Sequence, residues 1–504
     1  MDRALPMIQM FLVLYLLILV GVGYVASKKM KGLEDYVLAG RGIGSYVLAF
    51  TFSATGMSGW LGLGLAGYVY TNGFEGVWTM VPSATVGIFL SFALVSKLIR
   101  EYSENVGAIT IPDVLEERYY DKSHVLRVIS ALIILAAAIA YVNGQLVAFG
   151  ITFEAVLGWD YTITVLLAAV MFVAWTMLGG LLAISWTDFI QGILMVLGTS
   201  LAAAFAISLS GGIGELSRGA AEVAKQDPDF IISPFATLPA VIYGVSLFLG
   251  DGIFSWIGQP SLMVRYMSAK SVKTLNLSGL LAVFIQSILF GGTFLAALYM
   301  RTVFPDPSTL PMAGNTETVL IQFFSTMTHP IFAGIFIGSI LAAIMSTADS
   351  MLIMGSSTLV NDFYIKIFNP DCDKRKALYY GRIATLVLGV LGILLSLRGG
   401  SVLIISWFGW NTLGLFGGPV LLGLYWPRAT REGAIAGLST GFILLMLWSF
   451  LGLEGSTNLF QAFPAALATY VVTWIVSLMT PAPPQEIQDT VRALHKKNPK
   501  PESK

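Results

Sequence analysis

Cysteine is almost absent from this chain of 504 residues: Cys372 stands alone, which excludes an internal disulfide and any multi-cysteine zinc or iron–sulfur site. Histidine is scarce too, and His124, His329 and His495 lie too far apart to offer metal-ligand spacing. Charged residues make up only 12% of the chain, against about a quarter in an ordinary soluble domain. The 29 basic and 29 acidic side chains cancel, which leaves no basic excess for a nucleic-acid backbone to attract. What is abundant is apolar: 56% hydrophobic residues, a mean hydropathy of +0.77 and 52 glycines. Small residues let helices approach closely in lipid, where no hydrophobic force drives them together. The chain reads as one that lives in a bilayer.

A helix needs about 20 apolar residues to cross the hydrocarbon core. Runs that meet this lie near 7–27, 44–70, 76–98, 126–157, 160–182, 188–210 and 236–264. Further runs follow near 274–300, 319–356, 378–397, 401–426, 432–452 and 459–480, which makes about thirteen spans. The first is long enough to span and lacks a small-residue cleavage site, so no cleavable signal peptide is expected. An odd number of spans puts the termini on opposite sides, and the Lys/Arg bias decides which. Of the 29 basic residues, 24 fall in alternate loops and the tail; only Arg3, Arg218, Lys225, Arg301 and Arg398 fall on the other side. The expectation is a monomeric, multi-pass cell (plasma) membrane protein with its N-terminus outside and its C-terminus cytoplasmic. Soluble parts are small. Thr110-Ile111-Pro112-Asp113 should open a short interfacial helix over 114–120, the loop 211–234 is acidic, and the tail after Pro481 is polar, proline-rich and expected to be mobile. No enzymatic or signalling domain fits between the spans, so neither an enzyme nor a transmembrane sensor is expected.

Two spans are interrupted. The first carries Ser53-Ala54-Thr55-Gly56-Met57-Ser58-Gly59-Trp60, the second Leu249-Gly250-Asp251-Gly252-Ile253. A broken helix strands backbone groups, which is tolerated in lipid only where they line a cavity or bind a ligand. A matched pair of broken spans points to a transporter built from inverted repeats, with its site near the membrane midplane. The span 319–356 adds a polar stripe of Ala343, Ser346, Thr347, Asp349 and Ser350, whose i,i+3 and i,i+4 spacing gathers them on one face. Hydroxyls, a carboxylate and free carbonyls suit a hard cation such as sodium, although Ser and Thr also bond to their own helix. Asp349 at membrane depth is a functional candidate by default. Asp251 faces substrate or cation, or else caps the following half-helix. Asp188, in Trp186-Thr187-Asp188, serves a cation site or complements a helix dipole. Trp60, Tyr141 and Trp256 line a pocket or act as packing and interface anchors.

The chain resembles the sodium/solute symporter family, most closely its sodium/proline branch, from about Leu33 to Trp426 and into the next span. The resemblance is carried by Asp35-Tyr36-Val37-Leu38-Ala39-Gly40-Arg41, Met57-Ser58-Gly59-Trp60, Thr110-Ile111-Pro112-Asp113 and Gly179-Gly180. It continues in Trp186-Thr187-Asp188-Phe189-Ile190-Gln191, Gly258-Gln259-Pro260, Met345-Ser346-Thr347-Ala348-Asp349-Ser350, and Gly423-Leu424 with Arg428 and Gly433-Ala434. It implies an all-α, leucine-transporter-type fold with a ten-helix core of two inverted five-helix repeats. The repeats would occupy 44–210 and 236–426, flanked by an extra helix and loop in 1–43, helices in 427–480 and a tail in 481–504. It implies a sodium site from the carbonyls of Ala54, Met57 and Ala343 with the hydroxyls of Ser346 and Thr347. A second sodium site would use Asp188, Ser346, Asp349 and Ser350. The substrate pocket would fall around Thr55, Gly56, Ser58, Trp60, Tyr141, Asp251, Gly252, Trp256 and Gln259.

Two positions depart from the proline-symporter pattern. Gly56 stands where an aspartate is usual, and Gly252, preceded by Asp251, stands where an aromatic is usual. These departures imply a larger, more negative pocket. The expected function is sodium-coupled uptake of a small organic solute, an amino acid such as proline, with sodium as coupling ion and no other cofactor. The alternative is a proton-coupled or uncoupled facilitator for a betaine, an organic acid or a cationic amine.

Overall fold

Every backbone polar group in lipid must be bonded within the chain, and helices meet that demand here. The computed structural model describes residues 5–28, 32–233, 235, 237–312 and 314–496. Lys29 and Lys31 of the first basic loop, and the tail from 497 to 504, lie outside this range. Among the described residues the only β pairing is two isolated bridges, Ile43 with Ala269 and Gly73 with Ile231.

The first half contains α1 (Leu5–Ser27), α2 (Ser45–Gly59), α3 (Ala66–Asn72), α4 (Phe74–Ser91), α5 (Lys97–Asn105), α6 (Ile111–Tyr119), α7 (Val125–Leu157), α8 (Tyr161–Leu209) and α9 (Ile213–Gln226). The second contains α10 (Leu238–Leu249), α11 (Pro260–Met267), α12 (Val272–Val303), α13 (Val319–Met327), α14 (Pro330–Ser357), α15 (Lys374–Ser396), α16 (Val402–Gly414) and α17 (Gly417–Tyr425). Then come α18 (Arg431–Leu451), α19 (Ala462–Met479) and α20 (Gln485–Leu494). Among the described residues nine helices are long and apolar enough to cross a membrane. The expected spans near 44–70 and 401–426 are instead built from two shorter pieces each, α2 with α3 and α16 with α17.

The spans near 160–182 and 188–210 are the two halves of α8, parted at Gly180 (φ 53°, ψ −168°), a conformation that glycine adopts without steric cost. Three local readings change. The span expected over 319–356 divides, because Thr328 is extended (φ −129°, ψ 166°) and α14 restarts at Pro330. Proline disfavours helix in the residue before it and suits a helix start. The 114–120 helix starts at Ile111, capped by Thr110 Oγ1 accepting from Asp113 N at 3.2 Å, and is largely buried against its neighbours. The tail is not uniformly mobile: α20 buries Val491, and His495 Nε2 lies 2.9 Å from the Leu424 carbonyl oxygen.

At the molecule's basic end, α6 works as a clasp. Arg127 of α7 is fully buried and pairs with Asp113 (2.7 Å), Asp362 (2.8 Å) and Glu116. Thr110 Oγ1 donates to Asp362 Oδ1 at 2.7 Å and Asn361 Nδ2 to Asp113 Oδ2 at 3.0 Å, which ties α6 to the wide turns that extend α14 to Phe368. On its other side, Arg118 donates to the carbonyls of Gly423 and Trp426, and Tyr119 to that of Pro419 at 2.6 Å.

Gly433, Gly437 and Gly441 of α18 form a four-residue repeat against Ser477, Thr473 and Thr469 of α19. A Cβ on Gly437 would overlap the Thr473 hydroxyl, and overpacking of this kind costs about 1–3 kcal/mol. Gly437→Ala should therefore lower the thermal unfolding midpoint of detergent-purified protein. Gly455→Ala, whose Cβ would meet nothing within 4 Å, should leave it unchanged.

Candidate functional site

The site begins where two helices fail. In α2, Ser58 takes φ 55° and ψ 179°, a left-handed φ that a residue with a Cβ adopts only under constraint. Neighbours replace the lost helix bonds: Ser58 Oγ accepts from Trp60 N at 3.1 Å, and Gln145 Oε1 of α7 accepts from Gly59 N at 2.8 Å. The chain then runs through wide turns over Trp60–Leu65 into α3. In the second segment Gly250–Ser255 is only a wide turn, and the helix stops at Gln259 (φ −69°, ψ 108°). The break lies beyond Gly250-Asp251-Gly252 because Pro260 dictates it. The glycines only loosen the winding. Gln259 Nε2 donates to the Trp410 carbonyl at 2.7 Å.

α14 delivers its polar stripe to the first break. Its most apolar stretch is almost wholly buried, and α14 packs against α1, α2, α7 and α8. Ser346 Oγ lies 3.0 Å from the Ala54 carbonyl and 3.1 Å from that of Ala343. Thr347 Oγ1 reaches the carbonyls of Ala54 (3.4 Å) and Thr55 (3.1 Å). The Met57 carbonyl is one step along, facing the Trp60 amide. The set is made of neutral oxygens at full burial, which fits a weakly held hard cation rather than a soft transition metal.

Asp188, Ser346, Asp349 and Ser350 are not gathered into one cluster of direct contacts. Asp188 Oδ2 accepts from Thr51 at 2.5 Å and faces Arg265 Nη2 at 3.9 Å. Arg265, 1% exposed on α11, also donates to Ser350 Oγ and to the Ser261 carbonyl. Ser350 in turn bonds Thr55 Oγ1 at 3.1 Å and the Ser346 carbonyl at 2.7 Å. Asp349 turns to the first half of α8, where Oδ1 accepts from Thr176 at 3.0 Å and Oδ2 has no partner. Arg265 is a residue that sequence reasoning missed. Its signal was available: a charge in Met263-Val264-Arg265-Tyr266-Met267, apolar on both sides, where the span was ended at 264 and the helix runs on to Met267.

Beside the first break lies a narrow cavity of about 20 Å³, room for about one water molecule. Five of the expected substrate residues line it: Gly56, Trp60, Tyr141, Asp251 and Trp256. Four do not. Thr55 is engaged with Ser350, Ser58 with the Trp60 amide, Gln259 with Trp410, and Gly252 is packed against Ser83 of α4. Ser406, Trp407 and Trp410 of α16 complete the wall with Phe290, Ala84 and Met57. These were missed, though Ser406-Trp407-Phe408-Gly409-Trp410-Asn411 sets aromatic and polar groups side by side in a span. The enlargement expected from the two glycines is not found. A Cβ on Gly56 would sit 2.9 Å from the Trp256 ring, which fills the space left by the missing side chain.

A model of the sodium:solute symporter family matches residues 36–441. The chain belongs to the sodium:solute symporter family. It is 33% identical over 482 residues to the high-affinity proline transporter PutP of Bacillus subtilis (strain 168), a match that covers 93% of this chain and 97% of that protein. It is 31% identical over 485 residues to a sodium/proline symporter of Staphylococcus aureus (strain NCTC 8325 / PS 47), covering 93% and 92%. The solved structure of a Na+-coupled sialic acid symporter in a substrate-bound outward-open state superposes with a TM-score of 0.77, over 94% of this chain and 98% of that one, at 19% identity. The fold is therefore the all-α, leucine-transporter-type class expected, and this family member is a membrane transporter, not an enzyme.

Within this family member, Arg265 and Asp188 are a buried pair, and removing one partner of such a pair costs about 3–5 kcal/mol. Arg265→Met should lower the unfolding midpoint sharply, and adding Asp188→Asn should recover part of the loss. Equal midpoints for the single and double variants would show that the two side chains do not interact.

Proposed function

We propose that this chain carries a small organic solute into the cell together with sodium, and that the solute is an amino acid, with proline the leading single member. One observation carries the reading. The hydroxyls of Ser346 and Thr347 reach carbonyls of Ala54 and Thr55, and the very next residues of that broken helix, Gly56, Met57 and Trp60, are walls of the cavity. An ion held by Ala54, Met57, Ala343, Ser346 and Thr347 would fix the backbone that shapes the pocket. Each ligand would then bind better when the other is present, as reciprocal coupling requires. The proline transporters among the relatives support the solute class.

The same proposal places the protein as a monomer in the cell membrane, N-terminus outside, with inverted repeats over 44–210 and 236–426. Asp188, Asp349, Ser346 and Ser350 would form its second cation region, of which Arg265 touches Asp188 and Ser350. A proton-coupled reading has one observation in its favour, the free Oδ2 of Asp349.

The test is uptake by proteoliposomes. Ser346→Ala and Thr347→Ala should each remove about 1 kcal/mol of ion binding, raising the sodium concentration for half-maximal uptake about fivefold. Accumulation of proline above the external concentration under a sodium gradient is expected. Uptake that ignores sodium and follows a proton gradient would favour Asp349 as a proton carrier, and mere equilibration would make the protein a facilitator.

A further inference from the structure

A second cavity lies away from the broken helices, between the stretch that joins α4 to α5 and the first turns of α12. It is a groove of about 240 Å³, against about 20 Å³ for the cavity beside the first break. Both flanks belong to stretches long and apolar enough to cross a membrane, Val81–Asn105 and Val272–Val303. Its rims, Phe89 (63% exposed) and Leu280 (70% exposed), therefore face lipid rather than water.

The floor is set by a glycine. Gly279 lets α12 come so close that a Cβ there would sit 2.9 Å from the Phe92 ring. Phe92 is braced from behind by Phe52 and Tyr266, whose ring centres each lie 4.8 Å away. A wall fixed in this way cannot collapse inward, and it gains dispersion contacts only from an apolar occupant. In a bilayer that occupant is an acyl chain.

One end of the groove is polar. Phe89, Phe92 and Lys97 follow each other along one flank, while Asn276, Gly279 and Val283 run the opposite way along the other. The contact of Phe92 with Gly279 fixes this register, so Lys97 and Asn276 share an end. Lys273 precedes Asn276 by three residues, on the same side of α12, and Lys270 stands just before the Ser271 cap. Among the described residues none of these three lysines pairs with a carboxylate: Glu104 is taken by Arg100 at 2.7 Å, and Glu101, one turn on from Lys97, makes no ion pair with it. Lysines at a membrane boundary ordinarily extend toward the headgroups. Here they gather at the mouth of an apolar slot, beside an amide with two N–H donors.

We propose that the groove seats an anionic phospholipid from the leaflet at the molecule's basic end. An acyl chain lies against Phe92 and Gly279, and the phosphate lies at Lys97 and Asn276. A zwitterionic lipid brings the same phosphate together with a cation that the lysines repel. The seat also touches the transport machinery, since Phe52 belongs to α2, the helix broken at Ser58, and Tyr266 follows Arg265 in α11.

Thermal unfolding of the detergent-purified full chain tests this, with phosphatidylglycerol or phosphatidylcholine added in mixed micelles, or inorganic phosphate added alone. One lysine beside an anionic headgroup is worth about fivefold in affinity. Phosphatidylglycerol should therefore stabilise the parent protein at a concentration at least about fivefold below that of phosphatidylcholine, and phosphate should not stabilise it. Lys97→Gln should cut the preference about fivefold. Lys122→Gln, at an exposed basic-end position off the groove, should leave it unchanged. Ala93→Trp, which fills the groove, should abolish it. Equal stabilisation of the parent by both lipids overturns the proposal, and that comparison needs no variant to fold. A preference that survives Ala93→Trp, or that Lys122→Gln lowers as far as Lys97→Gln does, also overturns it and assigns the effect to the basic surface as a whole. Phosphate that stabilises as well as phosphatidylglycerol overturns it in favour of a free-anion site.

Discussion

The rest of this structure depends on one constraint: a peptide group in lipid cannot go unbonded. Long helices satisfy it automatically, and among the described residues nine stretches are long and apolar enough to do so across a membrane. The breaks at Ser58 and Gln259 create the site. Where α2 breaks at Ser58, the bonds that the helix would have made are taken over by Gln145 and by Ser58 itself, and α14 brings two hydroxyls to the exposed carbonyls. The proposed cation site and the pocket share a wall because both would use the same few residues of disrupted backbone. Moving the break would dissolve both at once.

The buried charges follow a related rule. In a low-dielectric interior a lone charge is far more costly than a paired one. Arg127 is therefore ringed by three carboxylates at the basic end, and Arg265 sits against Asp188 and Ser350. Asp251 and Asp349 break the rule. Among the described residues neither is paired with a cationic side chain, and each keeps one carboxylate oxygen without a hydrogen-bond partner. Those two positions are where the proposed function would bring in charge from outside the protein, as an ion, a proton or part of a solute.

Much of this was legible in the sequence, for identifiable reasons. Length and apolarity announce a membrane span locally, so the helices fell close to where the residues placed them. The i,i+3 and i,i+4 stripe on α14 needed only helical geometry to bring Ser346 and Thr347 to one face. What failed was anything set by distant packing. The second break was placed at the glycines, yet Pro260 fixes it at Gln259, since glycine permits a break and proline compels one. Gly56 promised empty space until Trp256, two hundred residues on, turned its ring into that space. The α16 wall of Ser406, Trp407 and Trp410 went unseen because aromatics in a span are usually packing, and only the fold shows that these face a cavity. Arg265 was different. It was overlooked while being counted as one more loop charge.

The clasp formed by α6 has a consequence for timing. It grips the end of α14 with one set of side chains and the end of α17 with another. Parting those two helices at the basic end means first exposing or unpairing Arg127 or stripping Arg118 from its carbonyls. Unpairing a buried ion costs about 3–5 kcal/mol, and if the transition state feels all of it, opening slows by about two to four powers of ten. The opposite end has ties of its own: buried Arg301 pairs with Asp227 and lies over Tyr70 and Phe230, and Glu317 accepts from Ser401, Val402 and Leu403. Neither end of the molecule therefore parts without first giving up buried polar contacts.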